Sequence, residues 1–325
     1  MEKEVKQREF GIDLSRSLAI LGVVLVHAGG FDFGRRGVQL FFLISGYLLA
    51  LPIEKETFWF FLIRRALRLF PLYYLFLFLV FLPDYPNVLQ FIFSLTLLQS
   101  LHWLAVTGPG VWSISNEWIF SLALAYFRKL ERRGIYLLIG LSWVSQVATS
   151  LFVFSIGGIP ENITDRTQIF YEWLNTLNPI VNASFFLIGV GLKKQFIKIL
   201  DFRIAIPIMA VGIFLVEVSG HELLFLWPVI LWATFSFCLK IQSRGKLFST
   251  VVAFIGMRTY GIFFIHFLFV GMIMKYFREL LGTHNQIIVS LLTFTTALMI
   301  SLPLSELTWR VLEKPFIKFS RAMPL

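Results

Sequence analysis

Cysteine is nearly absent from this chain, and charged residues are scarce. The single cysteine, Cys238, excludes an intramolecular disulfide, and a lone cysteine in an apolar run is more often a small buried hydrophobe than a nucleophile. No set of Cys and His residues has the spacing of zinc ligands, so we expect no metal site. Only 15% of the 325 residues are charged and 57% are hydrophobic, whereas a soluble domain carries about 25% charge. A chain this apolar needs lipid as its solvent.

Long apolar runs are spread along the whole chain. A membrane-spanning helix needs roughly 20 mostly apolar residues, and eleven candidate segments run from 14–32 to 286–304. The segment 88–111 is interrupted by polar residues and by a Gly108-Pro109-Gly110 turn, which favours a broken re-entrant or interfacial element. We therefore predict an all-α, polytopic transmembrane helical bundle with about ten spans. Residues 1–325 are expected to form a single membrane domain with no soluble domain.

The basic residues indicate the orientation of this bundle. With ten spans, 24 of the 29 Lys and Arg residues fall on one side, as the positive-inside rule predicts for the cytoplasmic side. Both termini are then cytoplasmic. The net charge of +10 is explained by these helix-end clusters, so we expect no nucleic-acid partner.

The first apolar segment carries ionisable residues, which are costly inside a span and indicate function. Arg16 and His27 are eleven residues apart, so on a helix they share one face about 16 Å apart along the axis. A long ligand could keep its anionic head on Arg16 while its reactive end reaches His27, and an acyl-coenzyme A has that shape. The alternative is that Arg16 is a topology charge and His27 a packing residue. Asp13 lies on the same helix.

Three further clusters place polar residues against apolar runs. Arg65 and Arg68 are i, i+3 neighbours suited to phosphate, although a plain positive-inside cluster explains them equally well. In the run 112–118, Ser113 could cap a helix. Glu117 could orient an imidazole, hold an acceptor hydroxyl or only satisfy the helix start. His266, by itself, is more often a satisfied core histidine than a catalyst.

Taken in order along the chain, the segments that hold these residues resemble the sequences of the acyltransferase 3 family of bacterial integral membrane O-acyltransferases. The resemblance runs through FGIDLSRSLAILGVVLVHAG (10–29), GVQLFFLISGYLLA (37–50), FLIRRALRLFPLYYL (61–75), GVWSISNEWIFSL (110–122), TYGIFFIHFLF (259–269) and LEKPF (312–316). Thr259 stands where the late segment often has Ser, and Asn116 sits within the WSxSxEW run.

The resemblance implies transfer of an acyl group, often acetyl, from cytoplasmic acyl-coenzyme A to a hydroxyl of an extracytoplasmic glycan or lipid-linked sugar. The location implied is the bacterial inner membrane, with no tightly bound cofactor. His27 matches the family's essential first-helix histidine, Arg16 its basic partner, and Arg65 with Arg68 the pair implicated in donor handling. To His27 we add Glu117 as a catalytic candidate. Further residues are expected to hold the acceptor or support the site: Asp13, Ser45, Trp112, Ser113, Asn116, Tyr260 and His266.

The competing function is a secondary transporter or flippase of a sugar or lipid-linked substrate, in which intramembrane His, Arg and Glu form a pathway. No pair of interrupted helices in corresponding halves is visible, which weighs against it. A structural membrane subunit is a third interpretation. The sequence leaves open the acyl group, the acceptor hydroxyl, a covalent acyl-enzyme and the oligomeric state, a homodimer included.

Overall fold

The computed structural model describes residues 2–30, 32–81, 88–105, 110–155, 165–219, 223–243, 245–282 and 285–323. These ranges contain helices and no β-strand, which confirms the all-α prediction. The α-helices are α1 (Glu2–His27), α2 (Arg36–Leu49), α3 (Pro52–Lys55), α4 (Phe58–Phe81), α5 (Val88–Leu95), α6 (Val111–Tyr126), α7 (Arg132–Ser155), α8 (Asp165–Glu172), α9 (Pro179–Lys193), α10 (Phe202–Ser219), α11 (Trp227–Lys240), α12 (Lys246–Met257), α13 (Thr259–Leu281), α14 (Gln286–Thr308) and α15 (Lys314–Ala322). Short 3₁₀ turns are Asp32–Arg35, Gln99–Leu101, Trp103–Ala105 and Leu224–Leu226, and π-helical turns are Trp173–Leu177 and Trp309–Glu313.

The helices identify a polytopic membrane protein. Within the described residues, seven segments are long and apolar enough to cross a bilayer: Phe10–His27, Arg36–Lys55, Arg132–Val153, Thr167–Lys193, Phe202–Ser219, Thr259–Leu281 and Gln286–Ser320. The other three expected spans correspond to α4, to α6 and to the shorter apolar stretch Leu224–Lys240. The count of ten spans stays a prediction.

One expected span is divided in the structure, and a second segment is interrupted as predicted. One of the eleven candidate segments, the apolar run 252–274, is predicted as a single span, but the structure divides it at Arg258 into α12 and α13. A buried guanidinium needs acceptors, and Arg258 donates to Glu306 and, at 3.0 Å, to the carbonyl of Phe254. The segment 88–111 begins as the eight-residue α5 and continues in 3₁₀ turns, so it is broken as expected. Gly108 and Pro109 lie outside the described residues.

The chain divides into two compact units. The first comprises residues 1–41, 66–82 and 238–324. In it α1 packs against α12 and α13, and α13 against α14. Small residues permit these approaches: a Cβ on Gly11 would lie 2.6 Å from the carbonyl oxygen of Cys238, and a Cβ on Gly256 would lie 2.9 Å from the backbone of Asp13.

The second unit comprises residues 42–65, 83–237 and 325. Here α9 packs against α6 and α7. The α2 backbone touches α9 at two reciprocal glycines. A Cβ on Gly46 would overlap the carbonyl oxygen of Phe186, and a Cβ on Gly189 would overlap that of Leu43. This pair of glycines therefore sets the distance between the two helices.

We expect Gly189→Leu to destabilise the protein by about 1–3 kcal/mol or more, because the added side chain must push α2 away from α9. The measurement is the thermal unfolding midpoint in detergent, followed by tryptophan fluorescence. Gly140→Ala is the matched control, since a Cβ there meets nothing within 4 Å. Equal midpoints for Gly189→Leu and wild type would contradict this packing.

Candidate active site

Two histidine rings meet in the first unit. His27 is the last residue of α1, and His266 lies in α13 with 0% of its surface exposed. The Nε2 atom of His266 is 3.3 Å from Nδ1 of His27, and the ring centroids are 5.2 Å apart. The ring of Phe267 packs edge-on against His27 at 4.6 Å and lies 4.1 Å from His266. The sequence did not predict this pairing, and the structure brings the two rings together.

Each histidine also contacts a backbone carbonyl one turn earlier on its own helix. His27 Nδ1 is 2.8 Å from the oxygen of Val23, and His266 Nδ1 is 3.0 Å from that of Ile262. Both rings are therefore fixed by their helices as well as by each other.

Arg16 lies three turns from His27 on α1, toward the N-terminal end of the span. Its Nη1 is 3.7 Å from Oδ1 of Asp13, and the two side chains are 18% and 21% exposed. The neighbouring Ser17 donates to the carbonyl of Val252 at 3.0 Å, which ties this part of α1 to α12. The expected neighbours Asp13 and Arg16 thus form an ion pair.

In the second unit, Glu117 of α6 accepts hydrogen bonds on Oε1 from two other helices. Arg65 of α4 pairs with this oxygen, and Ser45 of α2 donates to it at 2.6 Å. Arg65 also donates through Nε to the hydroxyl of Ser121 at 3.1 Å, and Ser121 donates to the Glu117 carbonyl at 2.7 Å. The carboxylate is thus shared by a guanidinium and a hydroxyl. Its predicted role, toward an imidazole or the acceptor, stays a prediction.

The pairing of Arg65 with Glu117 and the contribution of Ser121 were not predicted from the sequence. One signal was available: an arginine and a glutamate each set in an apolar helix are expected to pair, because an isolated buried charge is very costly. Ser121 follows Glu117 by one helical turn, so it shares the same face.

The arginines of α4 occupy different environments. Arg65 is 6% exposed, whereas Arg68 is exposed. Arg64 pairs with Glu56, and burial raises the pKa of the Glu56 carboxyl while Arg64 opposes the rise. Arg65 and Arg68 are therefore not equally accessible to a ligand, although they are i, i+3 neighbours on α4.

Tyr260, at the start of α13, donates to the carbonyl of Leu69 at 2.6 Å. This contact lies within the first unit and fastens α13 to α4 one residue beyond Arg68. The supporting role expected of Tyr260 stays a prediction.

At the start of α6, the structure corrects the predicted cap. Gly110, with φ of 80°, precedes the helix, and Ser113 lies inside it with its hydroxyl donating to the Gly110 carbonyl at 2.7 Å. A left-handed backbone favours glycine, so Gly110 takes the position expected for Ser113. Asn116 is buried and donates to the carbonyl of Leu177 at 2.9 Å, and Trp112 packs edge-on against Phe42 at 6.2 Å.

Among the residues that the structure describes, no group of three or more His, Cys, Asp or Glu side chains could hold a metal ion. The polar groups of the candidate residues include imidazoles, guanidinium groups, carboxylates and hydroxyls.

Comparison with models of protein families matches residues 9–310 to the acyltransferase 3 model, described as an acyltransferase domain. The match covers nearly all of the sequence and includes every candidate residue named above. Neither the curated proteins nor the solved structures contain a significant match.

We expect Glu117→Leu to lower the stability of the protein by about 3–5 kcal/mol, because the buried guanidinium of Arg65 loses its counter-charge. The unfolding midpoint in detergent measures this. Glu279→Leu is the control, since its pair with Lys275 is exposed and contributes little. Equal shifts in the two variants would show that the Arg65 pair does not stabilise the fold.

Proposed function

Because the chain belongs to the acyltransferase 3 family and is a membrane acyltransferase, we propose that it carries acyl groups from the cytoplasm to an extracytoplasmic glycan. The donor proposed is an acyl-coenzyme A, acetyl-coenzyme A in particular. The acceptor is a hydroxyl of a glycan or of a lipid-linked sugar precursor. The proposed location is the bacterial cytoplasmic membrane with both termini inside, which the distribution of Lys and Arg supports.

The observation that carries the proposal is the hydrogen bonding of His27. A carbonyl oxygen only accepts, so the 2.8 Å contact with Val23 assigns the ring proton to Nδ1. Nε2 is then unprotonated and holds a lone pair. An imidazole in this form is a general base suited to neutral pH.

The proposed reaction uses that lone pair directly. Nε2 of His27 takes the proton of the acceptor hydroxyl as its oxygen attacks the carbonyl carbon of the thioester. A carbon–oxygen bond forms, the carbon–sulfur bond breaks, and the coenzyme leaves as a thiolate. The proton on His27 is then returned to the thiolate, which restores the base.

Arg16 is proposed to hold the phosphates of the donor. It lies about 16 Å from His27 along the same helix, and this separation suits a donor with phosphates at one end and a thioester at the other. Its 18% exposed side chain and the exposed Arg68 are accessible to a ligand. Arg65 is paired with Glu117. It is proposed to contribute to donor binding indirectly, by fixing the position of α4.

We expect His27→Ala to reduce acyl transfer by about 100- to 10,000-fold, because the general base is lost. The measurement uses membrane vesicles given radiolabelled acetyl-coenzyme A, with label counted in the extracted glycan fraction. His102→Ala, which alters an exposed histidine, should retain transfer. Transfer near the wild-type rate by a folded His27→Ala protein would refute the mechanism.

We expect Arg16→Ala to raise the KM for acetyl-coenzyme A by about 10- to 100-fold, the value of one or two hydrogen bonds to a charged group. A phosphate-free acetyl-pantetheine thioester should be used equally well by variant and wild type. Lys275→Ala, in an exposed pair, serves as the charge control. An Arg16→Ala variant that keeps the wild-type preference for the coenzyme thioester would remove Arg16 from donor binding.

A further inference from the structure

His266 is buried completely, yet its imidazole contacts more than apolar side chains. Its Nδ1 lies 3.0 Å from the carbonyl oxygen of Ile262. Because the carbonyl only accepts, the proton of the His266 ring belongs on Nδ1. The opposite nitrogen, Nε2, therefore presents a lone pair, and that lone pair is 3.3 Å from Nδ1 of His27.

The protons of the two rings can now be assigned together. His27 Nδ1 has two neighbours that both accept, the Val23 oxygen at 2.8 Å and His266 Nε2 at 3.3 Å. With its proton on Nδ1, His27 shares one N–H between two acceptors. With its proton on Nε2 instead, three lone pairs would face one another. The surroundings thus favour the tautomer that leaves Nε2 of His27 free.

The same contacts become stronger when His27 is protonated. When Nε2 takes a proton, the positive charge spreads to Nδ1–H, whose hydrogen bonds become charge-assisted and stronger. His266 supplies one of the two acceptors. Its ring is held in this orientation by Ile262 and by the aromatic rings of Phe263 and Phe267, at 6.0 and 4.1 Å.

We propose that His266 is a positioning residue of the transfer reaction, which fixes the tautomer of His27 and stabilises the imidazolium formed as the acceptor loses its proton. The proposal rests on the proposed role of His27 as base. It assigns His266 no contact with donor or acceptor, and it predicts an effect on the chemical step rather than on donor binding.

The kinetic test compares His266→Leu with His266→Gln in the vesicle assay, varying acetyl-coenzyme A. Leucine removes the acceptor, so we expect kcat to fall about 10- to 100-fold with KM unchanged. The glutamine oxygen can accept from His27 Nδ1–H, so kcat should recover at least partly. Wild-type kcat in a folded His266→Leu protein, or equal losses in the two variants, would overturn the proposal.

A second test reads the tautomer without activity. In protein labelled with nitrogen-15 histidine, the His27 signals, assigned by their loss in His27→Asn, should show a protonated Nδ1 and a bare Nε2. His266→Leu should mix the two tautomers. A wild-type His27 protonated on Nε2 would overturn the proposal even if His266→Leu fails to fold.

The two proposals fail differently. If His27→Ala keeps full transfer, the proposed base is wrong. If His27→Ala is inactive while His266→Leu keeps the wild-type kcat, only the role of His266 is wrong.

Discussion

A charged side chain that leaves water needs a counter-charge inside the protein, and the interior of this chain is organised by that requirement. Arg65 is 6% exposed and pairs with Glu117. Arg258 is 8% exposed and pairs with Glu306. In each unit the pair connects helices that are distant in sequence, so charge pairing contributes to deciding which helices lie side by side.

Small residues supply the second condition, which is close approach of the helix backbones. The helix that carries Arg16 and His27 contacts its neighbours through Gly11, and Gly256 of α12 meets it at Asp13. With little hydrophobic driving force between helices in lipid, such close packing is what holds them. The position of α1 in the first unit is therefore maintained by these glycines, while the spacing of Arg16 and His27 is set by the helix itself.

The proposed chemistry depends on which ring nitrogens carry the protons. An imidazole is a base only through a nitrogen that carries no proton, and the hydrogen bond made by the other nitrogen decides which one that is. Helix geometry supplies the acceptor on α1, since the carbonyl of Val23 lies one turn before His27. Packing of α13 places Nε2 of His266, the proposed second acceptor, 3.3 Å from Nδ1 of His27.

The apolar runs and the scarcity of charge determined by themselves that the protein is an all-α, multi-span membrane protein, because each helix satisfies its own backbone in lipid. The family segments, in order, were likewise readable from the chain. Helical periodicity placed Arg16 and His27 on one face about 16 Å apart, because their separation is set within a single helix. Other features depend on residues far apart in sequence, and only the tertiary structure decided them. The tertiary structure brings His27 next to His266, pairs Arg65 with Glu117 and leaves Arg68 exposed. Burial and long-range pairing follow from helix packing, which the local sequence does not encode.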